Sequence, residues 1–305
     1  MNGPEGRGRS WIGEDGPVHP IVAPVVAWFD AVGRPLPWRA ADRTPWGVLV
    51  SEIMLQQTPV VRVLPRWREW LERWPTPAAL AAAPTAEVLR AWDRLGYPRR
   101  ALRLQQCAAI IVERHGGQVP ATEAELRALP GIGEYTAAAV VAFAFGGRSV
   151  VLDTHVRRVL ARAVGGEALP APSLTAAERT RAAGVVPADP QEAAAWNAAA
   201  MELGAVICTS RAPACERCPV ADRCAWLAAG RPADRHTARR RTQPWHGTDR
   251  QLRGRVMAAL RAASAPVPAE ALDLGDAADR VMAGLVADGL VEATPDGYRL
   301  PGGAP

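Results

Sequence analysis

Residues Leu129 to Arg158 read LPGIGEYTAAAVVAFAFGGRSVVLDTHVRR, and this stretch decides which fold the chain can adopt. Gly131 and Gly133 follow a proline and directly precede an apolar run, which predicts a tight turn that opens a helix over about 134–145. Bare backbone N–H groups at such a helix start can hold an anion, so the turn is a candidate phosphate seat. A Gly-rich turn without a ligand is the simpler interpretation, because a lone G-x-G is weak evidence. The Ala, Val and Phe content predicts that the helix is a buried support.

A carboxylate stands at the start of the next predicted helix. After the strand-like run S-V-V-L, Asp153 directly precedes T-H-V-R-R-V-L-A-R. The positive end of a helix stabilises an anion, so we expect Asp153 to stay ionised at neutral pH. From these residues alone, an ordinary N-cap is the favoured interpretation.

Composition limits the classes of function. The chain has 305 residues, of which 49% are hydrophobic, so it has room for two domains and is expected to be soluble and mostly helical. No window approaches 18 uninterrupted apolar residues, so no membrane span is predicted. The first residues are polar, so no secretory signal is predicted, and we expect a cytoplasmic protein. The net charge of +5 is compatible with a polyanionic partner. All 36 basic residues are Arg, so no side-chain amine is available for a Schiff base.

A second carboxylate, Glu52, lies inside a predicted helix that begins near Pro45 with Thr44 as its cap. Apolar residues three and four positions away place Glu52 on or beside an apolar face, where burial would raise its pKa and hold its proton. An outward-facing Glu52 at the edge of the stripe is the alternative. Further helices are predicted over about 21–33, 60–74, 100–114, 122–128, 173–184 and 189–207. In the second of these, Trp67, Trp70 and Trp74 recur at helical spacing and are predicted to be core.

Four of the five cysteines fall within 17 residues, at Cys208, Cys215, Cys218 and Cys224. In a cytosolic chain this gathering favours a metal site over two disulfides, and the spacing allows both zinc and a 4Fe-4S cluster. Three arginines interleaved with these cysteines (Arg211, Arg217 and Arg223) predict a positive surface on the loop. The fifth cysteine, Cys107, is mid-helix and is expected to be a buried small hydrophobe.

The chain divides into four predicted regions. Residues 1–18 are expected to be disordered and residues 19–230 to form the main domain. Residues 231–247, with the run Arg239 to Arg241, are either a solvated basic linker or a strap that follows phosphates. Residues 248–305 read as a helix over 249–263, a short turn, a helix over 275–288 and two short strands around a D-G turn, which is typical of a winged-helix-like α+β unit.

Taken in order, the motifs between Leu36 and Cys224 resemble the adenine DNA glycosylases of the MutY type, within the helix-hairpin-helix superfamily that contains endonuclease III. The motifs are S-E-I-M-L-Q-Q-T, L-G-Y, L-P-G-I-G-E-Y-T, V-L-D-T-H-V-R-R-V, M-E-L-G-A-V-I-C and the four-cysteine loop. The resemblance implies an all-α fold of two helical modules flanking a DNA cleft. It implies a 4Fe-4S cluster rather than zinc, and a monovalent cation at the helix-hairpin-helix. The implied partner is double-stranded DNA with adenine opposite 8-oxoguanine or guanine, bound by a monomeric, nucleoid-associated enzyme.

The resemblance also assigns roles to single residues. Glu52 would protonate adenine and later activate water, and Asp153 would stabilise or capture the sugar cation. Tyr135 stands where lyase-active relatives carry lysine, which implies hydrolysis alone. Gln57 and Tyr97 would enter the gap left by the extruded base, although an exposed turn residue is the plain interpretation of Tyr97. The remaining implied contacts are Gln56 and Thr58 near the opposing base, Gly131 and Gly133 at the backbone phosphates, and Trp38, Arg39 and Glu202 around the adenine. For Glu202, a surface salt bridge is the competing interpretation.

The sequence departs from the family pattern in two places. His155 replaces the Asn that usually follows the catalytic Asp by two residues, and His is typical of the endonuclease III branch. The Phe-Ser-His loop through which many relatives read 8-oxoguanine is also missing from the chain. A thymine or other mismatch glycosylase of the same fold, and a non-cleaving iron–sulfur DNA-binding protein, therefore remain alternatives.

Overall fold

The structure, a computed structural model, describes residues 18–239 and 247–302. The predicted disorder of residues 1–17 and the basic run at Arg240 and Arg241 lie outside these ranges.

Fourteen α-helices and one two-stranded antiparallel sheet are found in the described residues. The helices of the first half are α1 (Val22–Val32), α2 (Pro45–Leu55), α3 (Val60–Arg73), α4 (Pro77–Ala81), α5 (Thr85–Trp92), α6 (Arg99–His115) and α7 (Glu123–Arg127). Those of the second half are α8 (Glu134–Phe145), α9 (Thr154–Ala163), α10 (Ala176–Ala183), α11 (Pro190–Val206), α12 (Ala225–Ala228), α13 (Asp249–Ala262) and α14 (Ala278–Ala287). The strands are β1 (Glu292–Thr294) and β2 (Gly297–Arg299).

The predicted helices are confirmed to within three residues at each end, and the predicted caps explain why they start where they do. The Thr44 hydroxyl accepts a hydrogen bond from the Gly47 N–H at 3.0 Å, with Pro45 in the first helical position. Helix α8 is buried along Ala137 to Ala142, as its composition predicts.

The strand-like run at 149–152 does not form a strand. The segment is irregular and pairs with no strand of the described residues. Its Ser149 carbonyl instead accepts a hydrogen bond from the Asn197 side chain at 2.8 Å. Side chains that favour strands cannot form one without a neighbouring strand to complete the ladder.

The chain forms two compact units, and the division falls inside α8. The first unit contains the described residues up to Ala41 and from Ala138 to residue 239. Its core is built from α1, α9 and α11, with Trp196 fully buried among Val22, Val159 and Leu203. Cys208 and Cys218 pack against this core.

The second unit contains Asp42–Ala137 and the described residues from 247 onwards. Three tryptophans lie in its core, with the ring centroid of Trp70 4.6 Å from that of Trp74 and 5.6 Å from that of Trp92, both edge to face. Trp67 donates its indole N–H to the Gly47 carbonyl at 2.8 Å, so the stripe on α3 faces α2. The predicted burial of Trp70, Trp74 and Cys107 is confirmed, whereas Trp67 is only half-buried.

Residues 247–302 form the C-terminal module within the second unit. It has the predicted order of helix, helix and two strands, with a short 3-10 helix (Ala269–Leu272) at the predicted turn. Val267 pairs with Tyr298 as a third short segment beside the two strands. Val256, Leu260 and Leu285 form part of its buried core.

No helix among residues 18–239 and 247–302 has the combined length and apolar character that crossing a bilayer requires.

Candidate active site

Glu52 is buried and hydrogen bonded to Tyr135. The residue is 4% exposed, because α2 is covered on all sides from Trp46 to Met54. The alternative of an outward-facing Glu52 is therefore wrong. The Tyr135 hydroxyl donates to Glu52 Oε2 at 2.8 Å, across 83 residues of sequence. A buried carboxyl group held in one orientation by a phenol can act as a proton donor, because its position is fixed before any substrate binds.

The loop after α2 carries the three polar residues that the motif singled out. Gln57 is exposed and has a left-handed backbone conformation with φ of 56°. Gln56 is half-buried and donates from Nε2 to the Thr136 hydroxyl at 3.3 Å. Thr58 is only 6% exposed, and its hydroxyl donates to the Leu95 carbonyl at 3.0 Å. Gln57 is thus presented to solvent, whereas Thr58 supports the loop from within.

Tyr97 lies on a neighbouring loop with a similar backbone. Its φ is 48° and its side chain is 39% exposed, so the predicted exposure is confirmed. A left-handed residue other than glycine costs of order 1–3 kcal/mol and persists only where its surroundings hold it. Gln57 and Tyr97 are therefore both held in strained conformations.

Arg100 holds both of these loops, and sequence reasoning missed it. Its Nη1 donates to the carbonyls of Ile53, Met54 and Gln56 at 2.6–3.1 Å. Its Nη2 donates to the Thr58 hydroxyl and to the carbonyls of Leu95 and Gly96 at 3.0–3.1 Å. Burial lowers the pKa of Arg100 to about 10, so the guanidinium stays charged at neutral pH. The only signal in the sequence was the pair of arginines after L-G-Y-P, which reads equally well as a solvated patch.

The hairpin, which is the turn of residues 128–133 between α7 and α8, leaves backbone exposed at the start of α8. Gly131 has φ of 80°, and a Cβ there would lie 3.0 Å from the Arg103 Cβ, so glycine is required. A Cβ on Gly133 would meet nothing within 4 Å, and both glycines are exposed. Ile132 between them is buried and anchors the turn. The turn therefore has the open backbone that a phosphate seat needs.

Asp153 caps α9, as predicted, with Oδ1 accepting from the Val156 N–H at 2.6 Å. Burial nevertheless raises the pKa of Asp153, while His155 and the backbone N–H groups of Val156 and His155 oppose that rise. Burial and the groups that stabilise the charged form act in opposite directions, so the ionisation of Asp153 at neutral pH stays a prediction.

His155 is held beside Asp153 by Arg158. The Arg158 Nη2 lies 3.1 Å from His155 Nδ1. An arginine can only donate, so Nδ1 accepts and the ring proton of a neutral His155 is on Nε2. That Nε2 lies 4.0 Å from Asp153 Oδ2. Helix α11 approaches closely here, because a Cβ on Gly204 would lie 2.7 Å from the His155 Cβ.

Glu202 is buried in an ion pair rather than at the surface, contrary to the competing interpretation. Its carboxylate accepts from Arg34 Nε at 2.5 Å and from Arg39 Nη1 at 3.0 Å. Burial alone would raise the pKa of Glu202, but the hydrogen bond from Arg34 and the charge of Arg39 outweigh it and the pKa is lowered. Arg39 also lies over the Phe29 ring, and Trp38 is buried. Arg34 was not predicted from the sequence.

The four-cysteine loop carries thiols whose charges interact. Burial raises the pKa of Cys218 to about 11, and the charges of Cys208, Cys224 and Cys215 act in the same direction. Thiolates this close repel one another unless a bound cation or cluster neutralises them, so the donor set fits a metal group. No group of three His, Cys, Asp or Glu side chains that could hold a single metal ion is found in the described residues. A four-iron cluster does not require several side chains to meet at one metal ion, since each thiolate binds a different iron.

Two arginines of α9 tie this loop to the helix that Asp153 caps. Arg158 Nε donates to the Cys208 carbonyl at 2.7 Å. Arg162 donates to the Thr209 carbonyl at 2.6 Å and the Ser210 carbonyl at 3.0 Å, and its Nη1 lies 3.4 Å from Cys208 Sγ. These residues stood in the V-R-R-V-L-A-R run without a distinguishing signal. The interleaved arginines of the loop, Arg211, Arg217 and Arg223, are exposed as predicted.

The structure thus gathers the predicted residues into two sets, one in each unit. Asp42–Ala137 contains Glu52, Tyr135, the two loops with left-handed residues and the hairpin. The first unit contains Asp153 with His155, the ion pair of Arg39 and Glu202, Trp38, and the cysteines.

Comparison with known proteins identifies the family to which this chain belongs. Residues 50–183 match the sequence profile of HhH-GPD superfamily base excision DNA repair proteins, and residues 208–224 match the iron-sulfur binding domain of endonuclease III. The adenine DNA glycosylase of Mycobacterium tuberculosis (strain CDC 1551 / Oshkosh) is 48% identical over 293 residues, which cover 94% of this chain and 95% of that protein. The chain belongs to the adenine DNA glycosylase family. The family member of Mycolicibacterium smegmatis is 49% identical to this glycosylase over 283 residues, covering 90% and 94% of the two chains.

The fold comparison agrees. This glycosylase is similar to the solved structure of a thermostable thymine-DNA glycosylase, with a TM-score of 0.61 and 27% identity over 68% of this chain and 95% of that one. The predictions of a helix-hairpin-helix fold, of a DNA glycosylase and of an iron–sulfur-binding loop are confirmed.

Proposed function

We propose that this glycosylase hydrolyses the bond between adenine and deoxyribose where adenine is mispaired with 8-oxoguanine or guanine in duplex DNA. The observation that carries the proposal is the buried Glu52, held by Tyr135 at the position where lyase-active relatives have lysine. The family to which the chain belongs supports adenine as the base. With no lysine in the chain, the reaction ends at hydrolysis.

In the proposed reaction, the Glu52 carboxyl gives its proton to the imidazole ring of adenine as the bond from the base to the sugar breaks. The electrons of that bond leave with the base, and the sugar becomes a cation. The Glu52 carboxylate then accepts a proton from the water that attacks the sugar. A positioned acid and base of this kind contributes about 10²–10⁴ in rate.

Asp153 supplies the negative charge that the sugar cation needs. The burial that raises its pKa also lowers the local dielectric, so its attraction to a developing cation is stronger than in water. The backbone N–H groups of Val156 and His155 hold the carboxylate in place, and the His155 ring, with Nε2 4.0 Å from Oδ2, stands where most relatives have an amide.

The substrate reaches these groups only as an extruded nucleotide, which costs a few kcal/mol of stacking and pairing. Gln57 and Tyr97 enter the vacated gap, and Gln56 and Thr58 lie near the opposing base. Gly131 and Gly133 bind backbone phosphates, and a monovalent cation is bound by the same hairpin. Trp38, Arg39 and Glu202 line the adenine site. The protein acts as a monomer on DNA of the nucleoid.

We assign a 4Fe-4S cluster to Cys208, Cys215, Cys218 and Cys224. When bound, the cluster cross-links the loop and neutralises the repulsion among its thiolates. The exposed arginines beside the cysteines then present a positive surface to DNA.

The test is base release from duplexes carrying adenine opposite 8-oxoguanine, adenine opposite guanine, or thymine opposite guanine. The wild type is expected to release adenine from the first two, and Glu52→Gln to lose at least two powers of ten of that rate. Release of thymine would instead support the thymine glycosylase alternative. This alternative is included because the fold is similar to that of a solved thymine-DNA glycosylase. DNA binding without release of any base would indicate a binding protein.

Borohydride trapping tests the hydrolytic mechanism separately. The wild type is expected to form no covalent adduct with DNA under reduction, because an amine is needed to form the trapped imine. Tyr135→Lys places the first lysine of the chain beside Glu52, and this variant is expected to yield an adduct. An adduct with the wild type would exclude a purely hydrolytic reaction.

A further inference from the structure

The C-terminal module is fastened to the segment that carries Tyr97. Asp288, which caps the end of α14, pairs with Arg99 at 3.1 Å and also accepts from Arg253 of α13. Arg90 of α5 donates to the Ala263 carbonyl just after α13 at 3.4 Å. A carboxylate at a helix C-terminus is disfavoured by the helix dipole, and the two arginines offset this. The module therefore holds Arg99, two residues after Tyr97.

A second contact reaches Tyr97 itself. The Arg250 guanidinium carbon lies 4.7 Å from the centroid of the Tyr97 ring, and that of Arg100 lies 5.6 Å from the same centroid. Arg250 is exposed and is the second residue of α13. A positive charge in the first turn of a helix is unfavourable, so Arg250 is not placed there to stabilise α13. A cation over an aromatic face is favourable, and it restrains the ring as well as the arginine.

The backbone of Tyr97 is fixed from the other side. Arg100 donates to the Leu95 and Gly96 carbonyls, and the Trp92 indole N–H donates to the Gly96 carbonyl at 2.9 Å. The main chain of the strained residue is thus held by its own loop, whereas its half-exposed ring is held in part by the module.

We propose that Arg250 is a positioning residue that acts through Tyr97, so that the C-terminal module sets the orientation from which the Tyr97 ring enters the DNA. The inference rests on the proposed function, in which Tyr97 fills the gap left by the extruded base. It gives the module a role in base extrusion that requires no contact between the module and the opposing base.

The test measures extrusion apart from catalysis. Duplexes carry 2-aminopurine, a fluorescent adenine analogue, opposite 8-oxoguanine, and all proteins carry Glu52→Gln so that no base is cut. Arg250→Met is expected to slow the rise in fluorescence about two- to fivefold, the effect of one exposed cation–π contact. The matched control is Arg255→Met on the same helix, because Arg255 donates to the Asp273 carbonyl within the module. This control is expected to behave like the parent.

A double-mutant cycle identifies the route of the effect. In a Tyr97→Ala background, Arg250→Met is expected to change the extrusion rate no further, because the ring through which it acts is gone. If Arg250→Met keeps its effect there and also flattens the salt dependence of binding, Arg250 is a phosphate contact and the inference is overturned. Equal rates for Arg250→Met and Arg255→Met would overturn it too. Failure of the proposed function is seen separately, as absence of adenine release by the wild type.

Discussion

At the residue scale, the hydrogen bond between Tyr135 and Glu52 makes a direct prediction. Tyr135→Phe removes the donor and keeps the ring, so Glu52 loses its fixed orientation. We expect the single-turnover rate of adenine release to fall about tenfold, since a hydrogen bond to a charged group is worth roughly 1.5 kcal/mol or more. The melting temperature should stay near that of the wild type. Tyr298→Phe makes the same change in β2 and serves as the control; equal rates for the two variants would contradict the assignment.

Asp153 makes a prediction about stability and pH. Burial raises its pKa above the ordinary value of about 3.9, so just above that pH the folded protein binds more protons than the unfolded chain. Stability therefore falls as the pH rises through this interval, and the loss persists at neutral pH. Asp153→Asn keeps a capping oxygen for the Val156 N–H and has no charge to desolvate.

We expect Asp153→Asn to abolish adenine release yet to melt at the same or a higher temperature than the wild type at pH 7. The difference should shrink as the pH is lowered towards 4. Circular dichroism melts across this range provide the measurement. Asp189→Asn changes the exposed cap of α11 in the same way and should leave activity intact. A clearly lower melting temperature of Asp153→Asn at pH 7 would show that the charged form stabilises the fold.

Sequence reasoning reached the two carboxylates and also Tyr135 and His155, but not Arg100, which holds the loops of Gln57 and Tyr97. Glu52 stands out because a carboxylate in an apolar run is uncommon, whereas Asp153 stands out only through the motif around it, since Asp is an ordinary helix cap. Arg100 does not stand out, since its partners are mostly backbone carbonyls and carbonyls have no sequence signature. The effect of burial on the Asp153 pKa was not read from the sequence either, because a helix start can be read from sequence whereas the depth of burial cannot.

At the scale of elements, the close approach of α9 and α11 depends on one glycine. Gly204 is inside a helix, where replacement by Ala would ordinarily add about 1 kcal/mol of stability. Here a Cβ would lie 2.7 Å from the His155 Cβ and 2.9 Å from the His155 carbonyl, so the helices would have to separate. We expect Gly204→Ala to lower the free energy of unfolding by about 1–3 kcal/mol and to reduce the rate of adenine release.

The control for this prediction is Gly184→Ala at the end of α10, where φ is −75° and the nearest atoms to a Cβ are 3.6 Å away. This variant should be at least as stable as the wild type. Thermal and denaturant melts of both proteins measure the difference. If Gly204→Ala is the more stable of the two, the contact with His155 does not limit the packing of these helices.

The elements themselves were largely predictable. Caps, prolines and glycines mark the ends of α2, α8 and α11, and the apolar composition of α8 marks it as a buried helix. The run at 149–152 has side chains that favour strands but forms none, because strand propensity describes a side chain on a sheet surface and no sheet is present there.

At the scale of the whole molecule, the cysteine loop links an iron–sulfur site to the helix that Asp153 caps. Cys218→Ser is expected to lose the iron and the visible absorbance of the purified protein, and to lower both its melting temperature and its adenine release. The activity is expected to fall because the loop carbonyls to which Arg158 and Arg162 of α9 donate hydrogen bonds become mobile. Iron analysis, visible spectra and single-turnover rates check this.

Cys107→Ala provides the control, since that thiol is buried in α6 of the other unit. It should keep its iron and its activity, even though its stability is slightly lower. Full activity of an iron-free Cys218→Ser protein would show that the loop and α9 are independent.

The resemblance predicted two helical modules, but the sequence did not show where they divide, and residues 248–305 were expected to form a separate module rather than part of the second unit. The sequence of a helix does not indicate which distant helix it will pack against. The C-terminal module belongs with Asp42–Ala137 through contacts such as Arg99 with Asp288, and surface ion pairs leave no trace in the order of the residues.

The interleaved order of the two units has a consequence for synthesis on the ribosome. Helix α1 packs in a core completed by α11, whose first residue follows that of α1 by 168 positions. At about 5–20 residues per second, α1 emerges roughly 10–30 seconds before its partner exists. The apolar face of α1 stays uncovered for that time. A chaperone that binds nascent chains at the ribosome should therefore raise the yield of this protein more than the yield of a protein whose two units follow each other in sequence.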